Sequence, residues 1–178
     1  MFGQQNEEKS STDYTDFAAV WLVHAHNPNT LYNLYLSAVL GEPMSTTRLD
    51  DRTRAFLEAK RFAVLATINA DGMPQLSTMW YELQGDEIMM NTADGRLKAA
   101  NMRRDSRVSL CIEDEYRYVT LYGSVQLDDD QEVAQADIHR LAVRYHNPAK
   151  ADQMMRDSFS KQQRITMRMT IERVVAEW

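Results

Sequence analysis

Five basic residues crowd one short stretch of an otherwise acidic chain. Between Asp94 and Arg107 stand Arg96, Lys98, Arg103, Arg104 and Arg107, against only Asp94 and Asp105. The local charge is +3, while the whole 178-residue chain carries −6. The stretch opens on Thr92-Ala93-Asp94-Gly95, a turn signal, and its spacing then predicts a helix over residues 96–104. The first backbone N–H groups of a helix lack intrahelical partners and carry partial positive charge. Arg96 and Lys98 at that end oppose the helix dipole. Their placement makes sense if an anion is held there by N–H groups and both cations together. Arg103 and Arg104 fall at the other end, where cations suit the dipole and need no ligand.

A second stretch, Pro74-Gln-Leu-Ser-Thr-Met-Trp-Tyr81, reads as a strand with two mixed faces. Gln75, Ser77, Met79 and Tyr81 share one face, and Leu76, Thr78 and Trp80 share the other. A wall that hydrogen-bonds a polar heteroaromatic ring while packing its flat surface has this composition. A strand partly covered by a second subunit has it too.

Other chemistries are excluded by spacing and count. The glycines fall at positions 3, 41, 72, 85, 95 and 123, and none of their spacings forms a dinucleotide fingerprint, a phosphate-cradling lysine loop or a nucleophile elbow. A single cysteine, Cys111, rules out an internal disulfide and any multi-cysteine metal site within one chain. His24 and His26 lie in a helix-like apolar stretch where they diverge, and His139 and His146 read as ordinary helix residues, so no metal site is expected. With 20 Lys plus Arg against 26 Asp plus Glu, the surface as a whole does not suit nucleic acid. The longest apolar run, residues 17–23, is far short of the ~20 residues of a membrane span. It follows acids rather than bases, unlike a secretory signal, so a cytoplasmic protein is expected.

The elements that would position these residues follow from periodicity. Strands are predicted over residues 62–69, 74–83, 87–92, 107–113, 118–127 and 163–175, and helices over 50–60, 96–104, 131–145 and 148–158. Along 118–127 the alternation is clean: Val119, Leu121, Gly123, Val125 and Leu127 against Tyr118, Thr120, Tyr122, Ser124 and Gln126. Six strands joined mainly by tight turns predict a mainly β (α+β) fold, an antiparallel sheet closing into a small barrel with flanking helices. A doubly wound parallel sheet would need helical crossovers between most strands. Residues 1–43 differ: Lys9 is their one base against Glu7, Glu8, Asp13, Asp16 and Glu42. They are expected to be an accessory extension, partly disordered with short helical segments, or not normally translated. Residues 44–178 are expected to form the complete domain.

These residues also match a known pattern. Phe62-Ala-Val-Leu-Ala-Thr-Ile-Asn-Ala-Asp-Gly-Met-Pro-Gln-Leu-Ser-Thr-Met-Trp-Tyr81 resembles the first hairpin of the pyridoxamine-phosphate-oxidase-like split β-barrel proteins. Asn91-Thr92 through Arg96-Leu-Lys-Ala-Ala-Asn-Met-Arg-Arg-Asp-Ser-Arg-Val-Ser-Leu110 resembles their phosphate-binding turn, helix and next strand, and Tyr116-Arg-Tyr-Val-Thr-Leu-Tyr-Gly123 is similar to the strand after it. The likeness covers about residues 50–178 and not 1–43. It is nearest to the flavin/deazaflavin oxidoreductases that use coenzyme F-420.

The resemblance implies a six-stranded split barrel and a homodimer with two cofactor sites at the subunit interface. It implies that Arg96 and Lys98 hold the cofactor phosphate and that Asn101 supports that turn. It places Ser77 and Thr78 along the cofactor, Pro74 and Gln75 near its ring, and Thr92 and Ala93 over the end of the third strand. The chain stops soon after its last strand, whereas true pyridoxamine-phosphate oxidases carry a longer basic C-terminal part, so that activity is not expected. The function implied is hydride transfer from reduced F-420 to an electron-poor planar organic substrate, with the substrate proton coming from water or from Tyr118 or Tyr122. An FMN-dependent oxidoreductase and a non-catalytic cofactor- or ligand-binding protein are the alternatives.

Overall fold

Short runs of alternating buried and exposed residues build the sheet. The computed structural model describes residues 48–178. Within them seven strands form one sheet: β1 (Ala63–Ile68), β2 (Pro74–Met79), β3 (Tyr81–Gln84), β4 (Glu87–Ala93), β5 (Arg107–Asp114), β6 (Arg117–Asp128) and β7 (Arg164–Glu177). Their spatial order is β2-β1-β5-β6-β7-β4-β3. Every pairing is antiparallel. The extension expected over residues 1–43, with His24 and His26, lies outside the described residues.

The two outermost strands, β2 and β3, are consecutive in the chain with only Trp80 between them. One residue spans at most about 3.6 Å. A seven-stranded sheet whose edge strands are joined by one residue must curl until the end of β2 reaches the start of β3. This corrects the expected six-strand count. The run 74–83 starts paired with β1, as at Val64↔Thr78, and ends paired with β4, as at Leu83↔Ile88. Periodicity alone reads it as one strand, because the alternation continues while the hydrogen-bonding partner changes. Tyr145 secures the break: its Oη accepts from Tyr81 N at 3.1 Å and donates to Arg61 O at 2.5 Å.

The barrel interior holds Leu65, Tyr81, Ile88, Met90, Leu110, Leu121 and Met167, all fully buried. On β6 the expected face is inward at Val119, Leu121, Gly123 and Val125. Gly123 sits at a β-bulge against β7. A Cβ there would lie 1.9 Å from Thr170 O, so only glycine allows the two strands this approach.

Among the described residues four α-helices flank the sheet: α1 (Asp51–Glu58), α2 (Leu97–Arg104), α3 (Gln131–Tyr145) and α4 (Pro148–Asp157). Asp50 Oδ1 caps α1 by accepting from Thr53 N at 2.7 Å, and Phe56 and Leu57 bury its inner side. Asp130 caps α3, and Asn147 caps α4 just ahead of a proline in its first turn. Helix α3 lies on the outer side of β4 and β7. Asn91 Nδ2 donates to Ala134 O at 2.9 Å, and Thr166 Oγ1 donates to Asp137 Oδ2 at 3.0 Å. No helix among the described residues is long and apolar enough to cross a membrane.

Candidate functional site

The five cations around α2 separate cleanly by partner. Arg103 pairs with Asp94 at 2.8 Å and with Asp129 at 3.3 Å, and Arg107 pairs with Asp105 at 2.6 Å. These contacts hold the carboxyls of Asp94 and Asp105 below their usual range. Arg104 donates to Ile68 O and, at 3.2 Å, to Asn101 Oδ1. Arg96 and Lys98 form no ion pair among the described residues. The uncompensated positive charge is therefore at the N-terminal end of α2, as the dipole argument requires.

That end is also bare. Arg96 occupies the cap position, no side chain caps the helix, and no acidic residue lies in its first turn. The preceding turn is shaped by Gly95, whose φ of 78° suits glycine. Asp94 N donates to Gln163 O at 2.8 Å, tying the turn to the start of β7.

The next residue, Arg164, completes the cationic group, and nothing in the local charge pattern pointed to it. It is 6 % exposed. Its Nε donates to Asn91 Oδ1 at 2.9 Å and its Nη1 to Gln162 Oε1 at 2.6 Å. Its guanidinium stands 5.1 Å from the centre of the Phe159 ring. It has no carboxylate partner among the described residues, and its Nη2 makes no hydrogen bond there. Burial first, and then Arg96, bring its pKa down to about 10, which leaves it charged at neutral pH. The Lys98 ammonium is likewise lowered, first by burial and then by Arg96 and Arg164. Arg96 and Arg164 thus stand close enough to Lys98 to disfavour its charge, and none of the three has a carboxylate partner among the described residues.

Beside Arg164 lies a cavity of about 200 Å³, walled by Phe62, Thr78, Trp80, Asn91 and Phe159 and closed on the helix side by Ile138 and Leu141. Trp80 is held firmly. Its ring stacks on Tyr145 at 5.2 Å and meets the edges of His146 and Phe159 at 5.3 and 6.4 Å. The residue at which the sheet changes partners is therefore also the main aromatic wall.

The residues expected at the site divide between two sides of β2. Thr78 lines the cavity, and Pro74 is exposed on the same outer side. Gln75 and Ser77 face the barrel interior. Thr67 Oγ1 donates to Gln75 Oε1 at 3.0 Å, and Asn101 Nδ2 donates to Thr67 Oγ1 at 3.1 Å. Asn101 thereby ties α2 to the first hairpin rather than to the turn at residues 92–96. Ser77 Oγ is buried with no hydrogen-bond partner among the described residues. Thr92 is buried on the barrel side, its hydroxyl reaching only Ala93 O at 3.4 Å. Ala93 is half-buried and pairs with Arg164 across the β4–β7 ladder. Tyr118 and Tyr122 lie on the outer face of β6 and do not line the cavity; Tyr122 stacks under Arg173 at 3.9 Å. Sequence reasoning missed Arg164, Phe159 and Phe62. The one signal for Arg164 was its place on the polar alternation of β7, ahead of Thr166 and Arg168.

Comparison with known proteins agrees with this fold. The pyridoxamine 5'-phosphate oxidase family matches residues 49–177. A biliverdin reductase dependent on reduced F-420, from Mycobacterium tuberculosis, is 29 % identical over 106 residues, covering 58 % of this chain and 77 % of that protein. The crystal structure of a conserved hypothetical protein from Mycobacterium tuberculosis is similar at 30 % identity and a TM-score of 0.58, covering 74 % of this chain and 86 % of the other. A structure described as F-420 reductase has a TM-score of 0.58 at 22 % identity, covering 71 % of this chain and 98 % of its own, and shares the fold.

Proposed function

The chain belongs to the pyridoxamine 5'-phosphate oxidase family, and on that footing we propose that it is an oxidoreductase using the deazaflavin coenzyme F-420 to reduce an electron-poor double bond in a planar organic substrate. The observation that carries this reading is the bare, cationic end of α2, where Arg96 and Lys98 form no ion pair among the described residues. The similarity to an F-420-dependent reductase supports the choice of deazaflavin.

The residues present fit such a cofactor. Arg96, Lys98 and the free N–H groups of α2 bind its phosphate. Ser77 Oγ, buried and unpartnered, offers a hydrogen bond from the inner side of β2. Asn101 keeps α2 in register with the hairpin that carries Ser77. When bound, the deazaflavin supplies the hydride. The protein orients, binds and excludes water. In this reading the substrate proton comes from solvent, because Tyr118 and Tyr122 of the same chain do not line the cavity.

A homodimer belongs to the same proposal. Across the outer face of the sheet runs an uncharged row, Thr78, Val64, Cys111, Thr120 and Val175, in direct register over β2, β1, β5, β6 and β7. Val64 and Val175 are exposed. A second copy would cover this face.

The test is a titration of the purified full chain with oxidised and reduced F-420 and with FMN, reading absorbance after the unbound fraction is removed. Retention of the deazaflavin is expected. Retention of FMN alone would assign the flavin in its place, and retention of neither would overturn the reading.

A further inference from the structure

We propose that the cavity between Trp80 and Arg164 is an acid-binding subsite, taking a ring-bearing carboxylate whose oxygen pairs with the Arg164 guanidinium and whose ring packs against Trp80 and Phe159. The two halves of the cavity call for the two halves of such a ligand. At one end is a buried cation with no carboxylate partner among the described residues and one unused guanidinium nitrogen, Nη2. A guanidinium in this state is suited to a planar carboxylate. Apart from Thr78 and Asn91 the remaining walls are apolar, with Phe62, Trp80 and Phe159 supplying aromatic surface.

The side chain of Arg164 is already set for this contact. Asn91 and Gln162 hold its Nε and Nη1. Asn91 is itself fixed by donating to Ala134 O on α3. Little conformational freedom remains to be lost on binding, which favours affinity. At about 200 Å³ the cavity falls below the ~300–1,000 Å³ of pockets for drug-sized molecules. It takes one compact ring system with its acid group, or the acid-bearing arm of a larger planar molecule.

The cavity is distinct from the cofactor contacts proposed above: neither Arg96 nor Lys98 lines it. Naming the acid as substrate rests on the oxidoreductase reading, whereas binding of the acid does not.

The probes are 2-naphthoate and its uncharged analogue 2-naphthamide, titrated by calorimetry into the full chain with and without F-420. Naphthoate is expected to bind at least tenfold more tightly than the amide. Arg164→Gln should abolish that preference at a much smaller cost in F-420 affinity than Lys98→Ala, which should keep the preference. Equal binding of acid and amide would overturn the proposal. So would an Arg164→Gln protein that still prefers the acid, or one that loses F-420 affinity as Lys98→Ala does, which would place Arg164 on the cofactor's anion. Should Arg164→Gln fail to fold, Ile138→Phe decides. It narrows the cavity from α3 and is expected to weaken naphthoate at least tenfold with F-420 affinity kept; unchanged naphthoate affinity would refute the subsite. If F-420 fails to bind while the acid preference holds, the oxidoreductase reading falls and the acid subsite stands.

Discussion

Asn101, on α2, donates from its single amide nitrogen to Thr67 Oγ1 at 3.1 Å, near the end of β1, and to Asn69 Oδ1 at 2.9 Å, in the turn just after it. It is 1 % exposed, and its amide oxygen accepts from Arg104 at 3.2 Å. The contact sets where the bare end of α2 stands relative to β2. Replacing Asn101 by Ala leaves buried polar atoms unpaired, at a cost of about 1–3 kcal/mol in unfolding free energy. Urea denaturation measures this. At temperatures where the variant is folded, F-420 affinity should still fall, because Asn101 positions the cations without touching the ligand. Asp and Ser variants, which keep part of the network, should recover part of both.

The partition of charge around α2 predicts unequal effects of similar substitutions. Lys98→Ala and Arg96→Ala should each weaken F-420 by about 1–3 kcal/mol, the scale of a lost charge-assisted hydrogen bond. Arg103→Ala removes a cation already paired with Asp94 and Asp129 and should leave affinity nearly unchanged. Fluorescence titration of the three variants side by side checks the contrast. Equal losses in all three would mean that only the overall charge of the segment counts.

The Lys98 ammonium titrates below the usual lysine range because it is partly buried and faces Arg96 and Arg164. Only its charged form attracts a phosphate. Affinity should therefore be full below the lowered pKa and decline as pH rises through it, starting at a lower pH than an ordinary lysine would give. A bound anion favours the charged form and moves the titration back up. Dissociation constants measured from about pH 7 to 10.5 should show this alkaline decline. In Lys98→Arg the decline should move to higher pH, because a guanidinium holds its proton more strongly than an ammonium.

Tyr81 and Tyr145 are both buried phenols with opposite hydrogen-bonding fates. The Tyr81 hydroxyl has no partner among the described residues, and burial pushes its pKa well above the usual value. The Tyr145 hydroxyl joins Tyr81 N to Arg61 O. Tyr81→Phe should be neutral or stabilising by up to about 1 kcal/mol, and Tyr145→Phe should destabilise by about 1–3 kcal/mol. Thermal melts of the pair test whether the break at Trp80 depends on that hydroxyl.

The uncharged outer row predicts how the proposed dimer fails. Thr120 sits mid-row, between Cys111 and Val175. Thr120→Arg would place a buried, unpaired cation on each copy across such an interface. Sedimentation should show a dimer for the unaltered chain and a monomer of similar stability for the variant.

Much of this architecture could be read locally. Strand alternation, turn residues such as Gly95, helix caps such as Asp50 and the cationic start of α2 each depend on neighbours within a few positions. The family pattern over Phe62–Tyr81 and Asn91–Leu110 is of the same kind, a run of adjacent residue types. What the chain alone could not decide was pairing between distant segments. Residues 74–83 alternate without interruption, and only the curled sheet shows that they change partner at Trp80. Arg164 looks like one more polar residue at the head of a strand until β7 pairs with β4 and sets it against Asn91 and beside Lys98. Periodicity records which face a residue takes, but not which strand lies opposite. Backbone pairing and burial make that choice, and they placed an unbalanced arginine at the wall of an aromatic cavity.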